Sequence, residues 1–409
     1  GFSCYVLADS YFISIAKGAD GLTALNLVMP LYSIIFSIGE MIGVGSAIRY
    51  AISKIKKDAD ADDYFWNALI WCILSSMLFV FAGIFFSADI MRVLGADEHI
   101  VAVGNNYTKI FMCFAPMFMC NYVTNAFVRN DGAPGIAMSA TLFSSLFNIV
   151  FDYILMFPMN LGMEGAALAT ALSPIIGMGI CSIHFFSKKS SVRLVVCKPS
   201  VRKLVAGCQL GVSAFVGEMS SAVITLAFNF VILKLAGNVG VAAYGVVANI
   251  AIVTTAVFNG VAQGSQPLIS SCFGRGDKDG CTQLKRMGYT TAFVLAAVMY
   301  SILFIFAGQF VAVFNSEGSE MLRLYATEGV KLYFIGIFFA GINIVGGGAF
   351  SATEDAFKAA VVSVARGFVL ILGAVFVMSA LFGMTGVWLA YAVAEGITTF
   401  IMLVMVLRV

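Results

Sequence analysis

Charged residues are scarce in this chain of 409 residues: Asp, Glu, Lys and Arg make up 11%, whereas hydrophobic residues make up 60%. A soluble domain carries about a quarter charged residues, so the composition excludes an ordinary soluble protein. No segment shows the alternation of polar and apolar residues that a membrane β-barrel requires. The mean hydropathy is +0.96. Because many apolar runs reach the roughly 20 residues needed to cross a bilayer, we predict a polytopic helical membrane protein.

Residues typical of catalysis or metal binding are equally few. The two histidines, His99 and His184, are predicted to be surface residues in or beside loops, and the nine cysteines form no Cys-x-x-Cys pair. No Ser or Cys has a nearby His and acid to activate it, and neither His-Glu-x-x-His nor a phosphate-binding loop occurs. We therefore expect no enzyme, no cofactor, no nucleic-acid partner and no metal other than a possible Na⁺.

Twelve apolar segments are long enough to form helices. With the N-terminus inside, 16 of the 24 Lys and Arg lie on the cytoplasmic side, which predicts a plasma (inner) membrane protein with both termini in the cytoplasm. The first segment is short and begins at Gly1 without a basic flank, so we expect it to be N-terminally clipped. The predicted helices cover about 1–16, 22–52, 64–86, 101–126, 135–156, 164–186, 206–234, 242–271, 287–310, 325–351, 359–379 and 385–407.

Two internal sequence repeats, here called echoes, divide these helices into two halves. GMEGAALATA (162–171) returns as GMTGVWLAYA (383–392), and GADGLTAL (18–25) returns as GNVGVAAY (237–244). The offsets of 221 and 219 residues indicate a duplicated unit of six helices, an arrangement common in transporters. We predict two six-helix bundles related by a pseudo-twofold axis, at 1–186 and 206–409. The basic segment 187–205 is predicted to be a cytoplasmic linker on anionic headgroups.

Four acidic residues lie inside apolar helices: Asp9, Glu40, Asp152 and Glu218. A carboxylate at the bilayer centre costs at least ~2.5–3.5 kcal/mol, so such residues face the bundle interior and mark function. Asp152 has Asn148 one helical turn before it, on the same face. The pair is predicted to carry a proton or bind a cation; the alternative is a structural hydrogen bond between helices.

Thr170 is a further candidate, in the helix that follows Asp152. Pro174 lies four residues later and cannot donate a hydrogen bond to the Thr170 carbonyl. The hydroxyl and carbonyl oxygens of Thr170 are therefore predicted to be available to a cation. Pro30, Pro116 and Pro267 are also predicted within or near the ends of helices, where they favour bends.

Five motifs, in this order and together with the repeat, resemble the MATE (multidrug and toxin extrusion) transporters over essentially the whole chain. The DinF-like branch is the most similar. That resemblance implies a cation or proton site made by Asp9, Asn148, Asp152 and Thr170. The motifs are ADSYFIS (8–14), RNDGAPGIAM (129–138), NIVFD (148–152), GMEGAALATA (162–171) and GSQPLIS (264–270).

The function implied by the resemblance is secondary antiport: export of lipophilic, often cationic compounds, driven by inward flow of H⁺ or Na⁺. A monomer in the lipid bilayer is expected. Glu218 is not in register with the acidic residues that the NorM-type branch has in helices seven and ten, and Glu40 is not part of the family pattern. Both are possible substrate or cation contacts, and Glu218 is as readily a structural hydrogen-bonding residue. The alternatives are a lipid or lipid-linked oligosaccharide flippase of the same superfamily and, less well supported, a membrane-embedded enzyme.

Overall fold

The computed structural model describes residues 2–314 and 319–407, and that part of the chain is almost entirely helical, without β-strands. Nine helices are each long and apolar enough to cross a membrane, and a bent helix pair makes ten. The last of these, from Ala356 onward, is broken at Gly383, and a further helix precedes the break at Gly18. Divided at these breaks, the described residues form twelve helices, the number predicted.

We number these helices α1 to α12. The hydrogen-bonded helices Phe2–Lys56 and Val201–Gly274 each contribute two of them, because a single glycine breaks each one. The twelve are α1 (2–17), α2 (Thr23–Lys56), α3 (Asp63–Val93), α4 (Glu98–Cys113 with Ala115–Asn130), α5 (Pro134–Met156), α6 (Gly162–Phe185), α7 (Val201–Gly237), α8 (Val239–Gly274), α9 (Lys278–Ile305), α10 (Glu320–Ala352), α11 (356–382) and α12 (384–407).

Several predicted boundaries are wrong, in each case because helix continues past the apolar segment. The predicted loop after residue 16 is helical except at Gly18. The helix α9 begins at Lys278, nine residues early, because the Asp277 side chain accepts a hydrogen bond from Gly280 N and caps it. The helix α7 begins at Val201 and so includes the last five residues of the predicted linker. These helices therefore continue past their apolar segments into polar sequence.

A Gly-x-x-Gly element begins each of the four echoed segments. The first glycine of each has a positive φ: 61° at Gly18, 63° at Gly237, 53° at Gly162 and 58° at Gly383. Side-chain-bearing residues rarely adopt this conformation, which lets the chain turn between helices. The repeat predicted from sequence thus coincides with a repeated backbone break.

The second glycine of each element lies where a side chain does not fit. A Cβ on Gly165 would lie 2.8 Å from the backbone of Leu155, and one on Gly386 would clash with the Met378 carbonyl. In the other two elements the obstacle is the preceding turn, a Cβ at Gly21 lying 2.7 Å from that of Lys17. Each element therefore turns the chain and then packs it closely against what precedes it.

The chain forms two compact units, Gly1–Phe215 and Val216–Val409, here called the N-terminal and C-terminal units. The boundary lies within α7, so its first residues belong to the N-terminal unit. The core of the C-terminal unit is rich in aromatic side chains, with Phe228, Tyr244, Phe334 and Trp388 all buried. The N-terminal unit buries several polar side chains, and these form the candidate site.

Candidate functional site

The structure brings Asp9, Asn148, Asp152 and Thr170 together inside the N-terminal unit. The Thr170 hydroxyl donates to Asp9 Oδ2 at 3.2 Å and accepts from Asn148 Nδ2 at 3.1 Å. The carboxyl groups of Asp9 and Asp152 are close enough to interact electrostatically. Asp9 is 3% exposed and the other three are 0% exposed. All four side chains therefore share one interior location.

Close packing of α5 against α6 determines which residues of the two helices lie opposite each other. Gly165 lies against the Leu155 backbone, and the two helices are consecutive and antiparallel. Five residues beyond Gly165, Thr170 is then level with Val150, midway between Asn148 and Asp152. The glycine that permits this contact thus places the hydroxyl opposite both polar residues of α5, and α1 supplies Asp9.

Several oxygen atoms of this cluster have no hydrogen-bond partner among the described residues: Asp9 Oδ1, Asn148 Oδ1 and both carboxylate oxygens of Asp152. A buried polar atom without a partner is costly, and an unpaired buried carboxylate is more so. Two ionised carboxylates have no proton to share and repel each other. The arrangement therefore requires either a proton held between Asp9 and Asp152 or a cation bound by their oxygens.

The donor set suits both ligands. Two carboxyl groups, an amide oxygen and a hydroxyl are hard oxygen ligands of the kind that coordinate Na⁺, and the two carboxyl groups alone suffice to bind a proton. Within residues 2–314 and 319–407, no group of three or more His, Cys, Asp or Glu suited to a metal ion occurs. The cluster has two acids, so any metal here takes its remaining ligands from Asn148 and Thr170.

The Thr170 carbonyl is partly engaged by a side chain. Pro174 has no N–H to donate to it, and it accepts a hydrogen bond from Ser173 Oγ at 3.0 Å. The serine before the proline replaces the missing backbone donor, as polar side chains do beside prolines in membrane helices. The hydroxyl of Thr170 is therefore its principal contribution to the site.

Tyr107 is a neighbour of the site that the sequence did not indicate. It is completely buried in α4, bonded through its hydroxyl to that of Tyr32, and interacts electrostatically with Asp9 and Asp152. The chain has 14 tyrosines, so residue type alone does not distinguish this one. The sequence NNYTKI, which interrupts an apolar segment with polar residues, was the available signal.

Comparison with known proteins places the chain in a family. The family model described as MatE matches residues 1–154 and 214–377, which is most of the chain. The chain belongs to the MatE family. Two relatives are the multidrug export protein MepA of Staphylococcus aureus (strain MRSA252), 27% identical over 405 residues, and that of Staphylococcus saprophyticus, 26% identical over 400 residues. Each alignment covers 96% of this chain and 87% of the relative.

Solved MATE structures share the fold. An outward-facing multidrug resistance MATE transporter of the MOP superfamily is 20% identical with a TM-score of 0.92, covering 100% of this chain and 92% of that one. A MATE structure in the bent conformation gives a TM-score of 0.90 at 20% identity, covering 100% and 91%. The predicted family, and the all-α fold of twelve membrane helices in two bundles, are thereby confirmed. The DinF-like branch stays a prediction.

Glu40 and Glu218 lie outside the four-residue cluster of this MATE chain. Glu40 is buried in α2 and interacts electrostatically with Arg129 at the end of α4. Glu218 is partly exposed in α7 and belongs to the C-terminal unit. A contact of either residue with substrate or cation stays a prediction.

His184 was wrongly expected at the surface. Its side chain is buried, and its Nε2 lies 2.8 Å from Asp131 Oδ2. Asp131 also accepts hydrogen bonds from the hydroxyls of Tyr50, Ser190 and Ser191. Burial would raise the pKa of the Asp131 carboxyl, but the bonds from Ser191 and His184 outweigh it and lower that pKa. This carboxylate fixes the start of the 187–200 segment to the N-terminal unit.

A further buried acid, Glu395, lies within the apolar helix α12 of this MATE chain and is not among the four acids predicted from the sequence. Its carboxylate is 3% exposed and pairs with Arg366 of α11 at 2.7 Å. The criterion that identified Asp9 and Asp152, an acid inside an apolar segment, applies equally to AVAEGITTF (392–400). The C-terminal unit therefore has a polar cluster of its own.

Proposed function

We propose that this chain is a secondary antiporter that exports lipophilic, often cationic compounds from the cytoplasm in exchange for H⁺ or Na⁺. The observation that carries the proposal is the buried cluster of Asp9, Asn148, Asp152 and Thr170, whose unpartnered oxygens need a proton or a cation. The relatives named as multidrug export proteins support the substrate class. The coupling ion is the only cofactor in this proposal.

An ion gradient supplies enough free energy for such export. A tenfold gradient is worth about 1.4 kcal/mol, and a membrane potential of about 100 mV adds about 2.3 kcal/mol per elementary charge. Binding one ion at Asp9 and Asp152 neutralises a buried charge, and its release restores that charge. The ion-bound and ion-free states therefore differ in the charge buried inside the N-terminal unit. That difference allows ion binding to shift the conformational equilibrium of the helices of this unit.

The cellular setting of the proposal is the inner membrane, with both termini in the cytoplasm and the protein acting as a monomer. The bias of Lys and Arg toward one side of the predicted topology supports that orientation. A flippase for lipid-linked oligosaccharides is less well supported. Such flippases often carry several cavity-facing arginines, whereas only Arg49 and Arg366 come close here, and the charge of Arg366 is already balanced by Glu395.

Transport in proteoliposomes tests the proposal, with a pH gradient and a Na⁺ gradient imposed separately at the same membrane potential. One gradient is expected to drive transport of a cationic dye such as ethidium. Asp152→Asn preserves shape but removes the charge, so it is expected to abolish gradient-driven transport. Asp58→Asn, which changes an exposed acid in the loop after α2, is the matched control. Full transport without either gradient, or by Asp152→Asn, would contradict the proposal.

A further inference from the structure

A buried ion pair lies near mid-membrane in the C-terminal unit. Arg366 Nε and Nη2 donate to Glu395 Oε1 at 3.0 and 2.7 Å, and Nε also lies 3.2 Å from Oε2. Arg366 is about 15 Å along α11 from Ala356, and Glu395 about 18 Å along α12 from Gly383, at 1.5 Å per residue. Half the hydrocarbon core is about 15 Å. Charges at this depth are rare and functional.

The groups around this pair are of the same kinds as those in the N-terminal site. Asn343 Nδ2 donates to Glu395 Oε2 at 2.7 Å, and Thr399 Oγ1 donates to Asn343 Oδ1 at 3.0 Å. Carboxylate, amide and hydroxyl thus recur, but here every oxygen of the carboxylate has a partner. The difference is the cation, which in this cluster is a side chain.

The repeat relates the two locations. At the offset of 221 residues, Tyr391 stands where the N-terminal unit has Thr170, and it interacts electrostatically with the Arg366 guanidinium. At the offset of 219 residues, Phe228 stands in place of Asp9. Phe228 contacts Tyr333 edge-on, and Tyr333 stacks on Tyr391 with ring centroids 4.4 Å apart. The guanidinium therefore borders the C-terminal counterpart of the cation site.

A local distortion of α11 holds the arginine. Residues Ala365–Val369 form a π-helical turn, and Arg366 lies within it. Such turns insert one extra residue and are frequent at functional sites. Gly367 in the same turn lies against α7, since a Cβ there would be 2.7 Å from that of Ser220. The turn shifts the helix register just where the guanidinium meets Glu395.

We propose that Arg366 is a tethered cation. It lies beside the C-terminal counterpart of the N-terminal site and excludes an exchangeable Na⁺ or proton from Glu395. Resting on the proposed antiport, this inference makes Arg366 a specificity-determining residue, because it leaves one exchangeable ion site per chain instead of two. Among the described residues, the other titratable groups that act on the pair are Tyr391 and Tyr333, which are phenols and supply no competing charge.

The test measures cation binding by thermal unfolding of purified protein in detergent. Because this experiment measures unfolding and not transport, its failure can be told apart from a failure of the proposed antiport function. All variants carry Asp9→Asn and Asp152→Asn, which silence the N-terminal site. Into that background are placed Arg366→Met, Arg366→Lys and the double variant Arg366→Met with Glu395→Gln. Melting temperatures are compared in NaCl and choline chloride at fixed pH, and then across a pH series, which separates Na⁺ from H⁺.

Arg366→Met is expected to gain several degrees of melting temperature from Na⁺ or from lower pH, since the lone carboxylate then binds a free cation. Arg366→Lys keeps a tethered charge, and the double variant has no charge, so neither should respond. An Arg366→Met response no larger than that of the double variant overturns the proposal. If Arg366→Met does not fold, recovery by added Na⁺ or guanidinium supports the proposal, and no recovery overturns it.

Discussion

The N-terminal unit buries two carboxyl groups with spare oxygen atoms, and the C-terminal unit buries one carboxylate whose oxygens are all engaged. Asp9 Oδ1 and both Asp152 carboxylate oxygens have no hydrogen-bond partner among the described residues, whereas Glu395 is bonded to Arg366 and Asn343. The N-terminal cluster has to bind a proton or a cation to be stable. The C-terminal cluster already has its carboxylate balanced by a guanidinium. Whether a cation is free or attached to the chain thus separates a site that can respond to a gradient from one that cannot.

The two units also show which features of a duplicated half have remained similar. Both retain the Gly-x-x-Gly elements with positive φ. Both link the first turn of the last echoed helix to a neighbour, through Asn106 and Glu164 in one unit and Glu328 and Thr385 in the other. The accepting glutamate differs in position between the two units. Glu164 lies on the helix that follows the glycine break, whereas Glu328 lies on the neighbouring helix. Backbone geometry is repeated more faithfully than side-chain chemistry.

The largest expected contrast is between Asp152→Asn and Glu395→Gln. Asp152→Asn removes an unpaired buried charge and should preserve or raise the melting temperature. Glu395→Gln leaves the Arg366 charge without its partner, and breaking a buried pair this way costs about 3–5 kcal/mol. Melting of the two purified variants checks this difference. Equal destabilisation by both would mean that the two clusters are alike and that the comparison is mistaken.

An intermediate effect is expected from the close-packed glycines. Gly165→Ala and Gly386→Ala each place a methyl group against the backbone of the preceding helix, which we expect to cost about 1–3 kcal/mol. Gly179→Ala in α6 and Gly373→Ala in α11 are controls, since no atom lies within 4 Å of their added Cβ. The free energy of unfolding is the measurement. A cost at only one of the two echoed positions would show that the repeat does not extend to packing.

The smallest contrast is between two threonine hydroxyls. Thr170→Val removes the group that links Asp9 and Asn148, and losing a bond to a charged group, about 1.5–3 kcal/mol, should weaken apparent ion affinity by about tenfold or more. Thr399→Val removes a hydroxyl that donates to Asn343 Oδ1 and to the Glu395 backbone carbonyl, outside the N-terminal site, and it should leave ion affinity unchanged. The ion dependence of transport by each variant is the measurement. Similar losses for both would place coupling in both units.

Fold and site differ in how far the sequence predicts them. Apolar segment length predicts the helices, and i, i+4 spacing with the family motifs predicts Asn148 and Asp152 as partners. The sequence does not predict the contacts of Tyr107 or the Arg366–Glu395 pair, because those contacts join helices whose relative rotation depends on packing. Helix ends are mispredicted for another reason: capping residues such as Asp277 extend helices into polar sequence that hydropathy assigns to loops.

The Gly-x-x-Gly element fixes a length as well as a turn. The backbone break at Gly162, the contact at Gly165 and the hydroxyl at Thr170 follow one another at fixed intervals along one helix. Each residue advances an α-helix by about 100°, since there are 3.6 residues per turn. One residue inserted after Gly165 would turn Thr170 away from Asp9, and the same change after Gly386 would turn Tyr391 away from Arg366. In both halves, the Gly-x-x-Gly element thus fixes the rotation of the helix that follows it. That rotation determines which side of the helix faces the charged residue, Asp9 in one half and Arg366 in the other.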